Sequence, residues 1–99
     1  MEIAINSVKF KTDVKLEKFI ESKVSKLILV HDGIYKSEVT LKLDKDEQNE
    51  NKITEIKINL PGVELFAKKR SKSFEEGTDL TIEALRKQLV KHKNKTKER

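Results

Sequence analysis

The 99-residue sequence has no cysteine and no tryptophan, one proline, three glycines and only five aromatic residues. Without cysteine there is no disulfide framework and no thiolate metal site, which fits a reducing compartment. No segment approaches the roughly 18 consecutive apolar residues of a membrane span. The opening MEIAINSVKF has no basic region followed by a long apolar run, so it does not read as a secretory signal. A soluble, cytoplasmic chain without a membrane partner is expected. Internal repeats, linkers and a Gly-rich phosphate loop are also missing. No nucleophile–base pair, carboxylate dyad or metal cluster appears, and the two histidines, His31 and His92, stand 61 positions apart. The sequence therefore does not read as an enzyme, and no cofactor, metal or small-molecule substrate is expected.

What the chain does have is charge. Charged residues make up 39% of it and hydrophobic residues 35%, and the net charge is +5. The length suits a single domain over residues 1–99 with a small, thin core. Residues 1–50 hold 9 Lys against 10 acids, whereas residues 51–99 hold 13 Lys and Arg against 7 acids. The whole excess lies in the second half, as a directed electrostatic face would require.

Residues 79–97, DLTIEALRKQLVKHKNKTK, concentrate that excess. Thr78, Ile82, Leu85 and Leu89 recur at helical spacing and form one apolar stripe. Arg86, Lys87, Lys91, Lys93, Lys95 and Lys97 cover most of the remaining circumference, and no acid occurs from Leu85 to Lys97. Like charges crowded on one helix repel each other, and a polyanion relieves that repulsion.

The rest of the chain supplies a scaffold. Residues 2–10 read as a strand, with a bulge or turn near Asn6-Ser7 where the apolar phase breaks. Thr12 or Asp13 is positioned to cap a helix over 13–29, whose arc is Leu16, Phe19, Ile20, Val24 and Leu27. Lys23 falls inside this arc. Either its stem packs there while the ammonium snorkels to water, or it borders a groove with Lys26 60° away. His31-Asp32-Gly33 reads as a turn. Residues 34–43 alternate, with Tyr35, Val39, Leu41 and Leu43 inward. Residues 44–52 read as an acid-rich hairpin loop that lacks the spacing of a calcium site. Residues 53–60 form the next strand, Pro61-Gly62 a tight turn, and residues 63–70 the last strand, with Val63, Leu65 and Ala67 inward. Phe66 shares the wet face with Lys68 and Arg70. Lys68, Lys69, Arg70 and Lys72 make a secondary basic patch. Residues 71–78 lead into the last helix, where Phe74 anchors the start and Gly77 is a weak spot. Residues 96–99 form a frayed tail.

The order β-α-β-β-β-α predicts an α+β fold: a four-stranded mixed sheet with two helices packed on one face, like a double-stranded-RNA-binding domain. The first strand should run parallel to the second, and two hairpins should make strands two to four antiparallel. Helices on one face bring Lys23 and Lys26 towards Arg86, Lys87 and Lys91, and that convergence favours a polyanionic partner.

The run from Asp79 through Glu83-Ala84-Leu85-Arg86-Lys87-Gln88-Leu89-Val90-Lys91-His92-Lys93-Asn94-Lys95, supported by Glu21 to Leu27, resembles the signature of the ribosome hibernation-promoting factor and ribosome-associated inhibitor family, also called the sigma-54 modulation protein family, in its short type. The resemblance covers the whole chain. The sequence departs from the family's usual pattern at Ser73, Glu75 and Gly77-Thr78. The resemblance implies a cytoplasmic bacterial stress and stationary-phase protein, monomeric off the ribosome. Its expected partner is the 30S subunit or 70S ribosome through 16S rRNA in the mRNA and tRNA channel, where occupancy blocks translation. Carried over by position, the implied RNA-binding residues are Lys23, Lys26, Arg86, Lys87, Gln88, Lys91, His92, Lys93 and Lys95. Two other readings stand beside it: an off-ribosome double-stranded RNA-binding domain, and a protein-interaction module.

Overall fold

The computed structural model describes residues 1–45 and 50–97, with side chains as far as residue 94. Four strands, β1 (Glu2–Val8), β2 (Lys36–Leu43), β3 (Lys52–Leu60) and β4 (Val63–Ser71), form one sheet in the order β1-β2-β3-β4. β1 is parallel to β2, and β3 is antiparallel to both β2 and β4. Helices α1 (Val14–Ser25) and α2 (Phe74–Lys97) complete the expected β-α-β-β-β-α order, with a 3-10 turn at Lys26–Leu29 after α1.

Register decides which residues reach the core. Side chains alternate along each strand, and paired residues share a face. Ile5, Val39, Ile56 and Ala67 form one rung of the inner face, and Ile3, Ser37, Ile58 and Leu65 form the next. Ile20, Val24 and Leu27 from the α1 segment and Phe74, Leu85 and Leu89 from α2 close over this face, and all six are buried. Both helices therefore lie on one side of the sheet, and the other side faces solvent.

Several local expectations change. The bulge near Asn6-Ser7 is absent, since pairing runs unbroken from Glu2↔Lys36 to Val8↔Lys42. The break comes after the strand, at Lys9, whose φ of 67° lies in the left-handed region that costs a non-glycine residue about 1 kcal/mol. Ser7 Oγ donates to the Phe10 carbonyl across this bend. Phe10 then stacks on Phe74, with centroids 5.2 Å apart. Tyr35 and Leu43, expected inward, are 55% and 45% exposed: Tyr35 precedes β2, and Leu43 is its last residue, beyond the buried Leu41. Ile34 and Ser37 are buried at that end instead.

Asp13 is the α1 cap, accepting from the Leu16 N–H at 2.7 Å. α1 stops at Ser25 rather than Leu29. α2 begins at Phe74, five residues before Asp79, because Ser73 Oγ accepts from the Glu76 N–H at 3.1 Å and caps it. Gly77 is a structural requirement rather than a weak spot. It is buried, and a β-carbon there would press into Thr54 Oγ1 and Ser71 Oγ on the sheet below. Residues 46–49 of the expected hairpin loop and residues 98–99 of the expected tail lie outside the described residues. The base of that loop is closed by the Asp44 N–H bonding to the Asn51 carbonyl.

Candidate nucleic-acid interface

α2 is fixed in rotation by contacts on both flanks. On one flank, Asp79 Oδ1 lies 3.4 Å from Lys23 Nζ of α1. At 100° per residue, Arg86 and Lys93 follow Asp79 along the same stripe. Lys93 and His31 line one cavity of about 220 Å³ with Ile28, Leu29, Val30 and Asp32. On the other flank, the Gln88 side-chain amide donates to the Phe66 carbonyl of the edge strand β4 at 3.0 Å. This bond satisfies a carbonyl that the sheet leaves unpaired. It also gives Gln88, one of the residues implied by the resemblance, a structural partner.

Between these flanks, the outer surface of α2 is basic. Arg86, Lys87, Val90, Lys91 and Asn94 line an open depression of about 400 Å³. Lys87, Lys91 and Lys93 are exposed and pair with no acid among the described residues. Past Leu89 no described side chain of α2 is buried, so this end of the helix is open to a ligand. Lys26 is exposed at the start of the 3-10 turn. Lys95 lies on α2, and its side chain is outside the described residues.

Two of the candidate cations already have partners. Lys23 is half-buried, and its ammonium sits 5.4 Å over the Phe19 ring besides pairing with Asp79. The stem thus packs against Phe19, and the ammonium is held between the helices by Asp79 rather than simply reaching water. Arg86 makes a two-point contact with Glu83, Nη2 to Oε1 at 2.9 Å and Nε to Oε2 at 3.2 Å. The guanidinium holds the Glu83 carboxyl below the usual carboxylate range. The Glu83–Arg86 pair was readable from its i, i+3 spacing. The Lys23–Asp79 pair joins residues 56 positions apart in the chain and has no local signal.

The fold also brings together the two histidines that sequence distance separates. The His31 and His92 rings lie 5.9 Å apart. His31 Nδ1 accepts the Gly33 N–H at 3.0 Å, so the turn at Gly33 sets the orientation of the ring. Among the described residues no group of three or more His, Cys, Asp or Glu is placed to hold a metal ion.

The open face of the sheet is different in kind. Register places four acids (Glu2, Glu38, Glu55, Glu64) and five bases (Lys36, Lys42, Lys57, Lys68, Arg70) on it, and Asp44, just past β2, joins them by pairing with Arg70. They interlock: Lys36 and Lys57 both pair with Glu38, Lys42 and Lys68 with Glu55, and Arg70 with Asp44. The Lys36 bond is the main reason the Glu38 carboxyl lies low, with Lys57 adding to it. The secondary patch is thereby divided. Lys68 and Arg70 are neutralised on the sheet face, Lys69 lies on the opposite parity of β4, and Lys72 follows the strand. Phe66 is half exposed among these balanced charges.

The profile of the family described as sigma 54 modulation protein / S30EA ribosomal protein matches residues 3–97. No curated protein sequence matches. Among solved structures, the chain is similar to a ribosomal subunit interface protein from Coxiella burnetii, with a TM-score of 0.85 at 23% identity, covering 95% of this chain and 99% of that one. It is also similar to the N-terminal domain of Protein Y from Thermus thermophilus, with a TM-score of 0.79 at 19% identity, covering 93% and 99%. At these identities the likeness concerns the fold.

Proposed function

Because the chain belongs to the sigma-54 modulation protein / S30EA ribosomal protein family, whose members are non-enzymatic ribosome-binding factors, we propose that it is a hibernation factor of the small ribosomal subunit. In this reading, residues 1–99 act as a single ribosome-binding domain in the cytoplasm, monomeric when free. The helical face lies on 16S rRNA in the mRNA and tRNA channel, and translation is blocked by occlusion.

The observation that carries the proposal is the segregation of charge. From Arg86 onward α2 presents bases and no described acid, whereas the sheet face is balanced and cross-paired. Lysines without an acid partner suit phosphate neutralisation with release of counterions. An exposed helix whose basic side chains border a wide, open depression suits recognition of RNA shape and backbone. Lys87, Lys91, Lys93 and Lys95 supply the outer contacts in this reading, with Lys23, Lys26 and Arg86 at the groove and His92 near its end.

Sedimentation with purified 30S and 70S particles on sucrose gradients at low and high salt tests this. Co-migration at low salt that is lost at high salt, and that an excess of plain duplex RNA fails to compete away, is the expected result. Competition by duplex RNA as effective as that by ribosomes would favour an off-ribosome RNA-binding domain instead. Binding insensitive to salt would favour a protein partner.

A further inference from the structure

The two cations of the inter-helix groove are not available in the same way as those of the outer stripe. Lys23 is held by Asp79 at 3.4 Å, and Arg86 is held by Glu83 at 2.9 and 3.2 Å. Asp79 and Glu83 are one helical turn apart on α2: the first carboxylate reaches across to α1, and the second stays on its own helix beside Arg86. The next bases along the helix, Lys87, Lys91 and Lys93, make no salt bridge among the described residues, although Lys87 is near enough to Glu83 to help hold its carboxyl low. The helix therefore carries two classes of cation. One is exposed and unpaired, and the other is already committed to an internal anion.

We propose that Asp79 and Glu83 are affinity-setting residues, built-in competitors that a phosphate must displace before Lys23 and Arg86 can bind it. The inference rests on the ribosome-binding reading for its ligand, but its physical content applies to any polyanion. When a phosphate takes over Lys23, the Asp79 carboxylate is left unpaired beside a second anion and must recruit a cation from solution. The net release of counterions on binding is reduced by that uptake. Arg86 and Glu83 behave in the same way. Their contact is two-pointed, so the phosphate has to replace a fork geometry rather than a point charge. The unpaired lysines steer the encounter, and the paired cations engage only where the RNA presents phosphates in the groove itself. Two acids in the middle of a basic surface thus keep binding weak enough to reverse.

The test uses Asp79→Asn and Glu83→Gln, which keep shape and remove charge. An exposed ion pair shifts an equilibrium by up to about fivefold. Each variant should bind 30S subunits about threefold to fivefold more tightly than the parent chain and elute from a heparin column at higher salt. The discriminating arm is a double-mutant cycle. In a Lys23→Ala background the gain from Asp79→Asn should disappear, as should the gain from Glu83→Gln when Arg86→Ala is combined with Lys87→Ala, since both cations feel Glu83. A general loss of negative charge would persist in both. Glu76→Gln, an exposed acid on the same helix without an ion pair among the described residues, is the control and should change binding less than twofold. Equal or weaker binding by Asp79→Asn and Glu83→Gln, gains that survive in the cycle, or an equal gain from Glu76→Gln would overturn the proposal. Failure of the parent chain to bind 30S at any salt would sink the ribosome reading alone, because the heparin series still decides the role of the two acids.

Discussion

At Gly77, a residue's identity is set by what lies beneath it. Propensity alone makes Ala better than Gly in a helix by about 1 kcal/mol. Here the added methyl would meet Thr54 Oγ1 and Ser71 Oγ, so overpacking, at roughly 1–3 kcal/mol, wins. Gly77→Ala should lower the urea midpoint with little change in slope. Combining it with Thr54→Ala should cost less than the sum of the two, since Thr54 Oγ1 is buried and has no partner to lose. Sequence alone could not show this, because Gly77 meets a strand more than twenty residues earlier in the chain. Tyr35 illustrates the same limit. Alternation placed it inward with Val39, but the strand begins only at Lys36; Ile34 is buried instead, and the Tyr35 ring stands 55% exposed. Ile56, Ile58, Leu85 and Leu89 were legible because their burial follows from period alone.

At the scale of the element, α2 joins two jobs end to end. Its first half carries Glu75, Glu76, Asp79 and Glu83, and its second half carries the bases. Acids near the N-terminus and bases near the C-terminus both suit the helix dipole, so the arrangement offsets part of the repulsion among the lysines. Core contact ends at Leu89 among the described residues, which leaves the basic end anchored by packing upstream of it. Lys87→Glu with Lys91→Glu should therefore abolish co-sedimentation with 30S subunits while leaving the far-ultraviolet circular dichroism unchanged. Retained binding would remove the outer face of α2 from the interface. The basic run and its apolar stripe were readable at this scale. Phe74 as the anchor of the helix start was readable too, but the Ser73 cap and the Phe10–Phe74 stack that fix it were not, because they depend on where the end of β1 and the end of β4 meet.

At the scale of the molecule, the two faces differ in how their charges are spent. Mutations on the sheet face should leave polyanion binding nearly untouched. Lys57→Glu, which disrupts pairs to Glu38 and Glu64, should reduce stability slightly and change 30S affinity less than twofold. About six phosphate contacts on the helical face would give log K against log salt a slope of roughly −4 to −5, and Lys57→Glu should not alter it. The balanced face has one more consequence. Once the helical side is covered, the open sheet face carries, among the described residues, five charges of each sign and so offers no net attraction to further nucleic acid. The chain is monovalent towards polyanions: each copy occupies one site, titrations should saturate at one protein per subunit, and the bound protein gives a second RNA molecule nothing to hold.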